Sequence, residues 1–164
     1  MKKTILTVFV ALVFGGAGDF AVGIFIYPFL FPPPPAMEKV ENRSEKMVVA
    51  TGNFIHANPS DPVHYGKGSV EVLKGKSGGN LLHLKPDFKV GPGPRFHIYL
   101  ADKGKIMNSA DFKAAKKTDL GKLRSFEGSQ VYELPKGTDI APVKSVVIWC
   151  KEFNVLISPA TLKK

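Results

Sequence analysis

The chain has 164 residues, a length that suits one domain with an appended segment rather than two domains. Hydrophobic residues make up 44% of it and twelve residues are Phe, which excludes intrinsic disorder for the body of the chain. One cysteine excludes an internal disulfide. The net charge of +9 favours an anionic partner. No recognition helix, zinc-finger spacing or RNA-binding signature accompanies that charge, so we expect no nucleic acid partner.

The N-terminus has the pattern of a membrane segment. Lys2 and Lys3 precede an apolar run over residues 5–31, which exceeds the roughly 20 residues that a spanning helix needs. We expect residues 1–31 to form an uncleaved signal anchor in contact with membrane lipid. The two lysines stay inside, so a single-pass cell-membrane protein results, with its C-terminal domain on the extracytoplasmic, periplasmic side. A signal peptide cleaved after Ala17 is the alternative.

Residues 32–47 have the composition of a linker. Four prolines, Pro32 to Pro35, predict a short polyproline spacer, and the following stretch is rich in Glu, Lys, Asn and Ser. We predict a solvated tether here, followed by a folded domain over residues 48–164.

Short alternating stretches between Gly and Pro residues predict that this domain is mainly β. The predicted strands are Ser69–Leu73, Asn80–Leu84, Phe96–Leu100, Gln130–Leu134 and Ser145–Trp149. Residues 153–157 either continue the last strand through a bulge or return as a hairpin, and Gly78-Gly79 predicts a hairpin turn. Only residues 109–117 have a helical pattern, with Ser109 as the candidate cap. The pattern therefore predicts an antiparallel β-sandwich or barrel-like domain with one short helix.

The histidines do not predict a metal site. None of the four forms an i, i+2 or i, i+4 pair with another, so a site would have to be assembled across strands. We assign no metal ligands. A Ser-His-Asp triad cannot be argued from spacing either, because such triads assemble in space.

Cys150 follows the most apolar strand and permits two interpretations. A free cysteine packs like a small hydrophobic residue, so it can be part of the core. Alternatively, the adjacent cation Lys151 lowers the pKa of the thiol and favours a reactive thiolate, while Glu152 opposes this effect.

An ordered set of motifs runs from Thr51 to Leu162. The most specific are Gly128-Ser129-Gln130-Val131-Tyr132-Glu133-Leu134-Pro135 and Val146-Val147-Ile148-Trp149-Cys150-Lys151-Glu152-Phe153-Asn154-Val155. In these motifs the body resembles the DM-thirteen domain, often labelled an electron-transfer domain. The resemblance implies an extracytoplasmic β domain whose characteristic cysteine acts as a bare thiol or as a ligand of a haem-like group. Cys150 stands at that position, and Asp139 at the family's usual acidic position.

Together these observations predict a membrane-anchored extracytoplasmic domain that takes part in redox or electron-transfer chemistry through Cys150, with Asp139 in support. Its partner is then another redox protein. The alternative is a non-catalytic basic binding module that holds an anionic surface at the cell envelope. A stand-alone enzyme ranks third, because no motif supplies a nucleophile, a base and an oxyanion site together. No cofactor is assigned, although the resemblance permits a haem-like group.

Overall fold

The computed structural model of the chain describes residues 22–76 and 79–164. The strands in these ranges are β1 Ala36–Met37, β2 Lys46–Phe54, β3 Gly66–Lys67, β4 Ser69–Gly75, β5 Asn80–Leu84, β6 Lys89–Val90, β7 Phe96–Ala101, β8 Lys117–Lys122, β9 Gly128–Glu133, β10 Ser145–Cys150 and β11 Val155–Lys163. The helices are α1 (residues 22–30), a short 3-10 turn at Arg43–Glu45 and α2 Ser109–Ala114.

Nine of these strands form one curled sheet in the order β1-β9-β5-β4-β2-β11-β10-β7-β8, and β3 pairs with β6 beside it. The strands β8 and β9 stand near opposite ends of this order, yet only residues 123–127 connect them. The Tyr132 hydroxyl on β9 lies 3.3 Å from the Lys122 carbonyl on β8. The two ends of the sheet therefore approach each other. The barrel-like prediction is confirmed in the form of a half-barrel, and two stacked sheets are not present in the described part of the chain.

β10 is buried on both faces, which explains its continuous apolar sequence. One face, with Ile148 and Cys150, packs into the main core inside the curl. The other face, with Trp149, packs against Phe112 of α2 at 4.6 Å between ring centroids and forms a second core with Tyr99. Cys150 therefore points into the half-barrel and not towards α2.

Most predicted elements are present with small changes. β4 and β5 form the predicted antiparallel hairpin, with Lys74 opposite Asn80 and Gly79 at a φ of +82°. The segment after Cys150 returns as a hairpin, the second of the two alternatives. The helix is shorter than predicted, because Lys117 already begins β8, and its cap is Asn108, whose side chain accepts from the Asp111 N–H at 2.9 Å.

The linker prediction was wrong for residues 34–38, which we call the strap. β1 adds a parallel strand to β9, with Ala36 opposite Gly128. The carboxylate of Glu38 accepts two hydrogen bonds from Arg124, both at 2.6 Å, and one from the Val131 N–H at 2.8 Å. The strap is therefore fastened to the sheet and is not a solvated tether.

Within residues 22–76 and 79–164, no helix is long and apolar enough to cross a membrane. The predicted anchor falls mainly on residues 1–21, which lie outside the described residues.

Candidate functional site

Cys150 is the last residue of β10 and only 1% exposed. Its Sγ–H group donates to the Pro94 carbonyl at 3.2 Å. A tight turn over residues 151–154 follows it, closed by Asn154 at a φ of 52°, and leads into β11. The end of a central strand thus holds the sulfur against the loop that precedes β7.

The charge state of the thiol is set by opposing effects. Burial raises the pKa of Cys150 and is the largest of them, and the Glu152 carboxylate also raises it. The backbone N–H groups of Phe153 and Glu152 lower the pKa by donating towards the sulfur, and so does the charge of Arg95. Since the net effect is a raised pKa, the Cys150 thiol is protonated at neutral pH. The backbone donors of the turn would nevertheless stabilise a thiolate once the proton is lost.

Three exposed side chains lie near this end of β10, and we call them the lid: Arg95, Glu152 and Phe153. The guanidinium of Arg95 donates to the Glu152 carboxylate at 3.0 Å, with 63% and 33% of the two side chains exposed. Phe153 is exposed, and its ring centroid lies 6.1 Å from that of Phe25 in α1. Exposed ion pairs contribute little to stability, typically about 0–1 kcal/mol, so this lid is weakly held.

The cation expected to act on Cys150 points elsewhere. Lys151 is the first residue of the turn after β10, and its Nζ binds the Asp119 carboxylate of β8 at 2.6 Å. Asp119 also contacts the His97 ring at 3.0 Å. The sequence hypothesis of a lowered pKa caused by Lys151 is therefore wrong for this geometry, and Arg95 is the cation that acts on the sulfur.

Asp139 is not close to the thiol. It lies in the loop before β10, which begins at Ser145, whereas Cys150 is at the opposite end of that strand. The exposed carboxylate of Asp139 accepts from the Ala141 N–H at 2.9 Å and so closes a local turn. The structure gives Asp139 a turn-forming contact, and its supporting role in chemistry stays a prediction.

An apolar groove opens beside the same loop. It has a volume of about 830 Å³ and lies between α1 with the residues after it and two segments of the β domain, residues 93–96 and 122–126. We call it the anchor groove. Pro94, which accepts the Sγ–H bond, belongs to its wall, whereas Cys150 does not.

Sequence reasoning missed a polar network under the strap. The His83 ring contacts Glu71 Oε1 and Ser129 Oγ, both at 2.9 Å, and Arg43 donates to the other Glu71 oxygen at 3.3 Å. This order of groups resembles a hydrolytic triad, but Ser129 is 7% exposed and its hydroxyl donates to the Glu38 carbonyl at 2.6 Å. The network fastens the strap. The alternation of β4 and β5, which places Glu71 and His83 on one face, was the available signal.

The remaining histidines also have nearby partners. His64 contacts the Asp61 carboxylate at 2.6 Å, and His56 lies 2.7 Å from the Asp61 carbonyl. Across the described ranges, no group of three or more His, Cys, Asp or Glu side chains is arranged to hold a metal ion.

Comparison with known proteins agrees with the resemblance in the motifs. The family model described as Electron transfer DM13 matches residues 59–162, a range that includes Cys150 and the whole lid. Neither the curated proteins nor the solved structures compared with the chain gave a match. Because the family model covers more than half of the sequence, the chain belongs to the Electron transfer DM13 family.

Proposed function

We propose that the chain is a membrane-anchored extracytoplasmic redox domain in which Cys150 exchanges electrons with a partner protein as a bare thiol. The description of the family supports a redox role in general. The proposal of thiol exchange rests on the surroundings of the Cys150 sulfur. The sulfur lies near the exposed Arg95–Glu152 pair, and two backbone N–H groups favour its thiolate.

The proposed exchange uses a disulfide of the partner as the oxidant. Cys150 loses its proton to solvent, and the thiolate attacks one partner sulfur. A new S–S bond forms as the partner's S–S bond breaks, and the second partner sulfur leaves as a thiolate that takes up a proton. Displacement of the Arg95–Glu152 pair gives the partner access to the sulfur.

A haem-like group does not fit this arrangement. The sulfur packs into the main core, and it is not part of the wall of the anchor groove, although its bonding partner Pro94 is. The proposed chemistry therefore uses the thiol alone.

The membrane part of the proposal rests on the N-terminal sequence and on α1. The side chains of Tyr27, Leu30 and Phe31 are apolar and mostly exposed, as expected for residues at the end of a membrane segment. Membrane fractionation of expressing cells and N-terminal sequencing of the mature chain test this part. Recovery in the soluble fraction, or a mature chain beginning at Gly18, would contradict it.

The thiol proposal is tested with the full chain in neutral detergent and a small aromatic disulfide whose released thiolate absorbs visible light. We expect the folded protein to release one thiolate per chain, more slowly than the unfolded protein. Cys150→Ser should abolish the release of the aromatic thiolate. The variant should keep the stability of the native protein, since a serine hydroxyl can donate to the Pro94 carbonyl. Reaction only after unfolding would contradict the proposal and favour the alternative, a non-catalytic basic binding module at the cell envelope.

A further inference from the structure

The anchor groove has the size and lining of a ligand site. Its volume of about 830 Å³ lies within the range of about 300–1,000 Å³ that is usual for small-molecule pockets. Its walls carry aromatic pairs from both sides. Tyr27 and Phe31 lie 5.2 Å apart between ring centroids, and Phe96 and Phe126 lie 5.9 Å apart. Such aromatic walls favour the burial of a hydrocarbon chain.

The rim of the anchor groove is cationic. Arg95, Lys122 and Arg124 belong to its lining, and all three are exposed. Arg95 is engaged by Glu152 and Arg124 by Glu38, but Lys122 makes no salt bridge with another described residue. Among the described residues, no acidic side chain lines the groove. A ligand that combines a hydrocarbon chain with a negative head would match both the lining and the rim.

The position of the groove indicates where such a ligand comes from. One wall is α1, whose exposed side chains include Ile26, Phe29 and Leu30. This segment continues the apolar run that begins at Ile5. If that run enters the membrane, the groove opens at the level of the lipid headgroups.

From these observations we propose that the anchor groove binds one anionic phospholipid, with an acyl chain between α1 and Phe96 and the phosphate at Lys122. The proposal rests on the proposed membrane attachment and is independent of the chemistry of Cys150. The lipid would fix the β domain against the membrane, with the lid over Cys150 beside the bound headgroup.

The test uses the full chain in neutral detergent, with phosphatidylglycerol or phosphatidylcholine added at equal concentration and native mass spectrometry as the readout. We expect one phosphatidylglycerol per chain to be retained in preference to phosphatidylcholine. Lys122→Glu should reduce that retention at least roughly fivefold, as expected for the loss of one basic residue at an anionic surface. Lys136→Glu, an equal charge change at an exposed position outside the groove lining, is the control and should leave it unchanged.

A second variant tests the hydrocarbon part. Gly23 lines the groove, and a Cβ atom built there meets nothing within 4 Å, so Gly23→Leu can place a larger side chain in the groove. We expect it to reduce retention of both lipids, whereas Val22→Leu, at an exposed position outside the lining, should not. The proposal would be overturned if the native chain retained the two lipids equally. It would also be overturned if neither Lys122→Glu nor Gly23→Leu reduced lipid retention. If the chain fractionates with membranes and still gives such a result, the proposed membrane attachment is supported and only the proposed lipid site is rejected.

Discussion

The strap and the lid both cover parts of the curled sheet, but they are held with very different strength. The strap makes backbone bonds to β9, with Glu38 N–H donating to the Ser129 carbonyl at 3.0 Å, and it receives the charged bonds of Arg124. In the lid, one exposed ion pair joins Arg95 to Glu152. The segment that sequence composition marked as a tether is thus firmly attached, and the cover of the candidate thiol is weakly attached.

This difference suits the proposed roles of the two regions. Burial acts to raise the pKa of Glu38, but the bonds from Arg124 and Val131 outweigh it and lower the pKa, so the strap carries a carboxylate at neutral pH. At Cys150 the effect of burial prevails and the thiol stays neutral. Changes near the strap should therefore alter stability, and changes at the lid should alter reactivity.

The largest effect is expected for Gln130→Leu, behind the strap. Gln130 is fully buried. Its side-chain oxygen accepts from the backbone N–H of Arg124 at 3.0 Å and from the Tyr132 hydroxyl at 2.9 Å. Its side-chain NH₂ group donates to the Ser125 carbonyl at 2.9 Å. Leucine leaves these groups without partners, so we expect the free energy of unfolding to fall by about 3 kcal/mol in urea titration. Glu133→Leu, at an exposed position on the same strand, is the control. A loss below about 1 kcal/mol would contradict the buried role of Gln130.

A smaller effect is expected for Glu38→Ala, which removes the charged bonds of the strap but not its backbone pairing. After allowance for solvent screening of this partly exposed pair, we expect a loss of about 1.5 kcal/mol and faster hydrogen exchange at the Ala36 and Glu38 amides. The rate of thiol labelling at Cys150 should not change. Glu133→Ala removes an exposed carboxylate from β9 and serves as the comparison. A change in thiol labelling with Glu38→Ala would show that strap and lid are coupled.

Asp119→Asn should cost about 1 kcal/mol at neutral pH, after allowance for solvent screening. Burial acts to raise the pKa of Asp119, but bonds from Lys151 and His97 prevail and lower it from 3.8 to about 2. Because the pKa of Asp119 is lower in the folded protein than in the unfolded chain, its carboxylate adds stability at any pH above the unfolded pKa. This stability is lost as the pH falls through the folded pKa. The advantage over the Asn variant should thus be full above pH 4 and vanish towards pH 2. Unfolding curves across this window measure it. An advantage that stays the same between pH 4 and pH 2 would contradict this role of Asp119.

The smallest effect on stability is expected for Glu152→Gln, within about 0.5 kcal/mol, because the ion pair that it breaks is exposed. Its effect on chemistry should be the clearest. The change removes a carboxylate that raises the pKa of Cys150 and loosens the lid, so native thiol labelling should become several-fold faster at neutral pH. Glu133→Gln is the matched control. Unchanged or slower labelling would show that the lid does not control access to the sulfur.

The sequence by itself determined the elements whose signals are local. The β4–β5 hairpin follows from alternation and a glycine turn, and the two-sided burial of β10 follows from its continuous apolar run. The position of Cys150 at the end of that strand, and the family, were also readable from the motifs.

Only the tertiary structure decided how distant segments are paired. Glu38 binds Arg124, which is 86 residues away, and Cys150 donates to Pro94, which is 56 residues away. Such partners depend on which strands become neighbours when the sheet curls, and alternation within one strand carries no information about that order. The protonated state of Cys150 has the same origin, because the burial that raises its pKa comes from core residues distant in sequence.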